Sequence, residues 1–257
     1  MKNKPIYLDF NATTPLDPSV LEVMLPYLKE EFGNPSSNSH EYGWEASRVV
    51  GKSRKSIASF LGGKSNEIIF TSGATESNNL AIIGYMQNFA NQQSHIITSV
   101  TEHKAVLDVV KHLELYGVEV TYLKVDKYGQ INPIDVANSI KPHTRLITIM
   151  SANNEIGTIN PIAEIGAIAK RNEIVFHTDA AQAFGKLSID VESMGIDMLS
   201  ISGHKIYGPK GVGALFVKAD NPKILIKPLQ FGGGQEGKIR PGTLNVPGIV
   251  GLSKAAE

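Results

Sequence analysis

Asp197-Met-Leu-Ser-Ile-Ser202 reads as a buried strand that delivers Gly203-His204-Lys205 beyond its carboxyl end. An earlier apolar run, Ile174-Val-Phe-His-Thr-Asp179, delivers a carboxylate and then Ala180-Ala181-Gln182. A lysine is seldom buried unless it is paired, so its usual place is the surface. A lysine amine and a distant aspartate, both at strand ends, are what a pyridoxal phosphate (PLP) site requires. The amine forms the Schiff base, and the aspartate keeps the pyridine nitrogen protonated so that the ring accepts electrons. The rest of the chain decides between that site and a surface lysine.

Working outward, short apolar runs alternate with helix-length amphipathic segments. Glu67–Thr71, His95–Ser99, Glu119–Lys124, Arg145–Met150, Ile174–Asp179, Asp197–Ser202 and Gly213–Val217 read as strands. Several are apolar at consecutive positions, the pattern of a sheet covered on both faces. Helical patterns lie near 75–91, 104–116, 133–140 and 162–172. The alternation predicts βαβ crossovers and a mostly parallel α/β sheet flanked by helices. Upstream, Asp17-Pro18 is a helix start and Pro26 should kink or end that segment. His40–Leu61 reads as a second long helix closed by Gly62-Gly63. Pro247–Glu257 looks like the opening of a helix with no exit signal, so the expectation is a sequence that stops mid-domain or mid-protein.

The 25 basic and 25 acidic side chains cancel, which makes nucleic acid and anionic membrane poor partners. Met1–Phe10 carries charge but no following apolar stretch, so a secretory leader is not expected. No apolar run approaches the roughly 18 residues of a membrane span. A soluble, cytoplasmic protein is the expectation. There is no cysteine, and the seven histidines fall in no ligand-like spacing, so no metal site is expected. Phe231–Gly237 contains GxGxxG but is followed by Lys238-Ile-Arg-Pro241 rather than an opening helix, which removes a dinucleotide site. The Gly-Lys-Ser triplets at 51–53 and 63–65 lack the earlier glycine of a phosphate-binding loop.

Four further polar sets follow strands. Thr71-Ser72-Gly73-Ala74-Thr75-Glu76 enters a helix, either as a cradle whose free amides bind a phosphate or as an ordinary capped turn. His103, in Thr101–Lys104, could stack on a cofactor ring and act catalytically by shuttling protons near neutral pH, or simply be solvated in a helix's first turn. Asn154, in Ser151–Gly157, could bond a phenolic oxygen or a substrate carboxylate, or merely turn the chain. Asp179 could instead cap a helix over Ala180–Gly185, and Gln182 could face water. With Ser202–Lys205, five such sets fall at carboxyl ends of strands, where open α/β sheets collect ligands. That coincidence predicts one shared pocket.

These residues together resemble the cysteine desulfurase family, within the class V aminotransferase group of PLP enzymes. The resemblance runs from Tyr7-Leu-Asp-Phe-Asn-Ala-Thr-Thr-Pro15 to the final residue. It takes in Gly33–Ser37, Thr71–Asn78, Thr101–Val106, Asn153–Gly157, Asp179–Gln182, Ser202–Gly211 and Arg240–Asn245. It implies an aspartate-aminotransferase-like large domain over 16–257 and, over 1–15, a segment of the small domain whose remainder is missing. It implies that Lys205 carries PLP, with Ala74, Thr75, Ser202 and His204 on the phosphate. Asp179 would meet the ring nitrogen, Gln182 the phenolic oxygen and His103 the ring face, with Asn154 orienting cofactor and substrate. Thr243 would reach the phosphate of a neighbouring subunit, which implies a homodimer.

The implied reaction converts L-cysteine to L-alanine, with Lys205 moving the α-proton. Sulfur passes through a protein persulfide to an acceptor or scaffold protein, for iron–sulfur cluster or thio-cofactor synthesis. The family's nucleophilic cysteine and its carboxylate-gripping arginine are expected beyond residue 257. By this reading the chain is an N-terminal portion, incompetent in sulfur transfer by itself. A selenocysteine lyase, another class V enzyme, or a silent PLP-binding or dimerisation module are the competing readings.

Overall fold

A computed structural model describes residues 5–257; the first four residues of the expected 1–15 segment lie outside it. Seven strands form one sheet: β1 (Ile68–Thr71), β2 (His95–Ser99), β3 (Glu119–Leu123), β4 (Thr144–Thr148), β5 (Val175–Asp179), β6 (Met198–Ser202) and β7 (Gly213–Val217). Their order is β1-β7-β6-β5-β4-β2-β3. Every pairing is parallel except those of β7 with β1 and with β6. All strands but β7 therefore end at the same edge, and the expected mostly parallel sheet is what forms.

The helices are α1 (Pro18–Lys29), α2 (Glu41–Phe60), α3 (Ala74–Met86), α4 (Lys104–Glu114), α5 (Pro133–Asn138), α6 (Ile162–Arg171) and α7 (Val246–Ala256). The consecutive apolar residues of the strands supply two cores, because successive side chains point to opposite faces. Phe70, Ile97, Ile147, Phe176, Leu199 and Phe216 pack on one face with residues of α2, α6 and α7. Ile69, Ile96, Leu146, Val175, Met198 and Leu215 pack on the other with α3 and α4. Each such buried side chain contributes about 1.5–3 kcal/mol.

Local signals explain most boundaries. Asp17 caps α1, accepting from the Ser19 amide at 2.8 Å, and His40 caps α2 through its ring. Gly62, at φ +71°, ends α2 where the sequence suggests.

Two expectations and one open alternative need correction. Pro26 does not end α1, which continues to Lys29. Proline needs only a helical φ and loses one bond near a solvent-facing end, while the Glu30 and Glu31 amides both close on the Pro26 carbonyl at 2.9 Å. Residues 181–186 form turns rather than a helix, and the segment near 75–91 leaves α-helical geometry after Met86. Strand limits otherwise fall within two residues of the reading.

Candidate functional site

Of the six strands that end together, five (β1, β2, β4, β5 and β6) deliver the polar sets to one cavity of about 690 Å³. Its lining includes Ala74, Thr75, His103, Asn154, Asp179, Gln182, Ser202, His204 and Lys205. Nine of the ten candidate residues thus converge on one space. Thr243 does not: it lies exposed in an adjoining cleft with Ser72, Gly211 and Arg240.

Lys205 sits in the one-turn 3₁₀ segment Gly203–Lys205, just past β6. Its amine donates to the carbonyl of Ala12 at 2.9 Å and to that of Asn11. Burial lowers its pKa, and the charge of Lys186 lowers it further. Thr14 pins the same loop, its hydroxyl donating to the His204 carbonyl at 2.9 Å and accepting from the Tyr207 amide at 2.7 Å. His204 Nδ1 meets the Thr13 hydroxyl at 3.1 Å, and burial lowers the ring's pKa.

Asp179 ends β5 and is 5 % exposed. Its Oδ1 accepts from the Ala181 amide at 2.9 Å and its Oδ2 from Asn78 Nδ2 at 2.7 Å. Burial pushes this carboxyl up; the two bonds and the charges of His103 and Lys205 pull the other way without reversing the shift.

The Ser72–Thr75 turn is built around Gly73, at φ +151°. A Cβ there would make only an ordinary contact, 3.6 Å from Ser202 Oγ, so it is the positive φ and not crowding that favours glycine. Gly73 caps α3 without a side chain, leaving the first-turn amides of α3 without intrahelical acceptors at the cavity rim. The exposed His103 caps α4, its Nδ1 accepting from the Ala105 amide at 3.1 Å. Asn154 bonds Glu155 at 2.6 Å, and Gln182 bridges the Asn11 carbonyl at 2.8 Å and the Lys186 amine at 3.0 Å.

Two buried residues escape a sequence reading. Asn78 holds Asp179 while its own Oδ1 has no partner among the described residues. Glu102 accepts from the Met150 amide at 2.7 Å and leaves Oε2 unpartnered; burial raises its pKa well above the ordinary carboxyl value. Neither carries a local signal, since the burial of each is set by strands distant in sequence. Among the described residues no group of three or more His, Asp and Glu could hold a metal ion, and no helix is long and apolar enough to cross a membrane.

The sheet edge, the glycine turn and the half-buried lysine sharing a cavity with a buried carboxylate define an α/β protein built around an anion cradle and a cavity amine. The chain belongs to the aminotransferase class-V family, whose model matches residues 6–257. It is 53% identical over 255 residues to the cysteine desulfurase IscS of Rickettsia felis, and 55% identical over 253 residues to that of Rickettsia bellii. Those matches cover 99% and 98% of this chain and 62% of each relative. The chain therefore spans under two thirds of the length of these relatives. Among solved structures, SspA in complex with cysteine superposes with a TM-score of 0.94 at 48% identity, over 98% of this chain and 72% of that one. A NifS-like protein gives 0.94 at 41% identity, over 98% and 69%. The cysteine desulfurase resemblance holds along essentially the whole chain.

Proposed function

We propose that this chain is the PLP-binding body of a cysteine desulfurase that converts L-cysteine to L-alanine. The observation that carries the proposal is one cavity joining the Lys205 amine, the Asp179 carboxylate and the open first turn of α3. The relatives named cysteine desulfurase, and the related structure that holds cysteine, support the choice of substrate.

The cavity's chemistry fits the cofactor. A carboxylate kept in a dry wall gains most from a cationic N–H partner, which a protonated pyridine supplies. The glycine turn and the Ala74 and Thr75 amides fit a phosphate, with Ser202 and His204 beside them. PLP, when bound, supplies the electron sink that makes a carbon next to an amine acidic. Lys205 would hold it, Asn78 would orient Asp179, Gln182 would meet the ring oxygen, and His103 would cover the ring. Asn154, which lines the cavity, would orient cofactor and substrate. The depressed basicity of Lys205 Nζ favours the neutral amine, the form that takes a proton from the substrate's α carbon.

Sulfur transfer balances as a thiol exchange. The carbon–sulfur bond of cysteine breaks, the carbon is reduced to the methyl of alanine, and an accepting thiol is oxidised to a persulfide. These 257 residues contain no cysteine, so the accepting thiol comes from outside them. The remaining assignments belong to the same proposal: residues 16–257 as the large domain, 1–15 as part of a small one, and a cytoplasmic homodimer serving iron–sulfur or thio-cofactor synthesis. Thr243, exposed and outside its own cavity, would serve another copy.

The test is a PLP titration, then borohydride reduction and peptide mapping of one portion and L-cysteine with excess dithiothreitol, as the accepting thiol, on a second, unreduced portion. A label on Lys205 and alanine formed with sulfide support the proposal. A label on Lys205 without alanine favours the silent binding module, and labels scattered over surface lysines overturn both. L-Selenocysteine turned over in preference to L-cysteine would move the assignment to a lyase.

A further inference from the structure

The anion cradle contains an acid. Glu76 is the third residue of α3 and lines the cavity beside Ala74 and Thr75. Its Oε2 accepts from the Ser72 amide at 2.6 Å. It thereby steadies the turn that Gly73, with no side chain, cannot cap. That arrangement sets a carboxylate within one helical turn of amides suited to a dianion, and like charges so placed repel.

Arg240 resolves the conflict. Its Nε donates to Glu76 Oε1 at 2.7 Å and its Nη2 to Oε2 at 3.3 Å, a two-pronged pair that is mostly shielded from water. The arginine is delivered by a loop that is itself anchored. Glu236, whose side chain is 2% exposed, accepts from the Phe70 amide at 2.7 Å and from Arg54 Nη1 at 2.8 Å. The loop is therefore tied to β1, the strand that feeds the cradle, and Arg240 reaches Glu76 from a fixed base.

The geometry points to Arg240 as a positioning residue that neutralises Glu76, so that the α3 cradle accepts a phosphate dianion despite the acid that braces it. Arg240 acts through Glu76 and not as a ligand of the phosphate. This inference rests on the cofactor reading above and adds to it the residue that sets preference for a phosphorylated ligand.

The experiment compares PLP with pyridoxal, which lacks the phosphate, by spectroscopic titration of wild type, R240Q, E76Q and E76Q/R240Q. In R240Q the Kd for PLP should rise about tenfold while that for pyridoxal stays within about twofold. E76Q/R240Q should return the PLP Kd to within about threefold of wild type, because removing the acid removes the need for the base. E76Q alone should keep or raise the preference for PLP. Equal losses for both ligands in R240Q would mean a merely structural role, and an unrescued double variant would mean direct phosphate contact; either overturns the inference. If R240Q fails to fold, E76Q decides alone, and loss of its PLP preference overturns the inference. Failure of the cofactor reading is distinguishable, since wild type would then show no saturable labelling of Lys205.

Discussion

The interior of the sheet and its carboxyl edge bury similar polar side chains but finish them differently. Inside, His177 is closed by Thr148 at 2.8 Å and Ser200 at 3.0 Å, and His95 by Thr144 and Thr121, both at 2.8 Å. Burial holds both rings neutral, with pKa values lowered to about 3 and about 4. At the edge, Glu102 and Asn78 each keep one unpartnered oxygen, and the Lys205 amine rests on backbone carbonyls. Polar groups saturated in this way stitch strands together, and an unpartnered one beside the cavity is open to a ligand, although the Thr98 hydroxyl in β2 and Arg145 Nε in β4 are unpartnered away from it. Burial alone would rank His177 above Lys205 as a functional candidate, so it is leftover bonding capacity together with a place at the cavity that separates site from scaffold.

That contrast breaks if edge substitutions unfold the protein or interior ones abolish binding. The largest effect is expected for Lys205→Ala, which should eliminate borohydride-trapped PLP while shifting the urea midpoint little. Next comes His177→Ala. It removes a fully buried ring and strands two hydroxyls, at a cost of about 3 kcal/mol, or roughly 10 °C in Tm for a chain of this size. The folded fraction should still label Lys205, as peptide mapping would show.

Acid should sharpen the same distinction. His177 has a folded pKa far below its ordinary value, so the unfolded chain binds the extra proton first. The stability it confers is complete above about pH 6.5 and falls as pH drops towards 3, by up to about 1.4 kcal/mol per unit. Urea midpoints measured between pH 7 and 5 should fall faster for wild type than for His177→Asn.

The smallest effect belongs to Glu102→Gln. Because burial raises the folded pKa of Glu102, the wild-type residue loses stability as pH rises above the ordinary carboxyl value. The glutamine variant should therefore be as stable as wild type at pH 7, or more so. A marked loss, read from the same urea curves, would show that an ionised Glu102 is part of the edge.

The sheet was legible because its strands are apolar at consecutive positions, and each side chain had a helix to meet on its own face. The five polar sets were legible because each follows such a strand. What stayed hidden was decided at long range. Asn78 meets Asp179 across 101 positions, and Arg240 meets Glu76 across 164. The carbonyls of Asn11 and Ala12 come to Lys205 from the opposite end of the chain. Pro26 misled for a local reason: the rule against helical proline weakens in a solvent-facing last turn.

The reversed direction of β7 has a mechanical consequence for Lys205. His103 and Asn154 hang on crossovers that leave the sheet edge towards a helix or a long loop. Lys205 lies instead in the connection between β6 and β7, adjacent antiparallel strands paired from Met198–Val217 to Ser202–Gly213. Lys205 follows the end of β6 closely, and the loop closes on itself where the Gly203 amide meets the Val212 carbonyl and the Gly208 amide the Gly203 carbonyl, both at 3.0 Å, so its backbone behaves as a bracket held at two points. The reach of the amine is then the sweep of four methylenes about a stationary pivot, which fixes the volume it can serve.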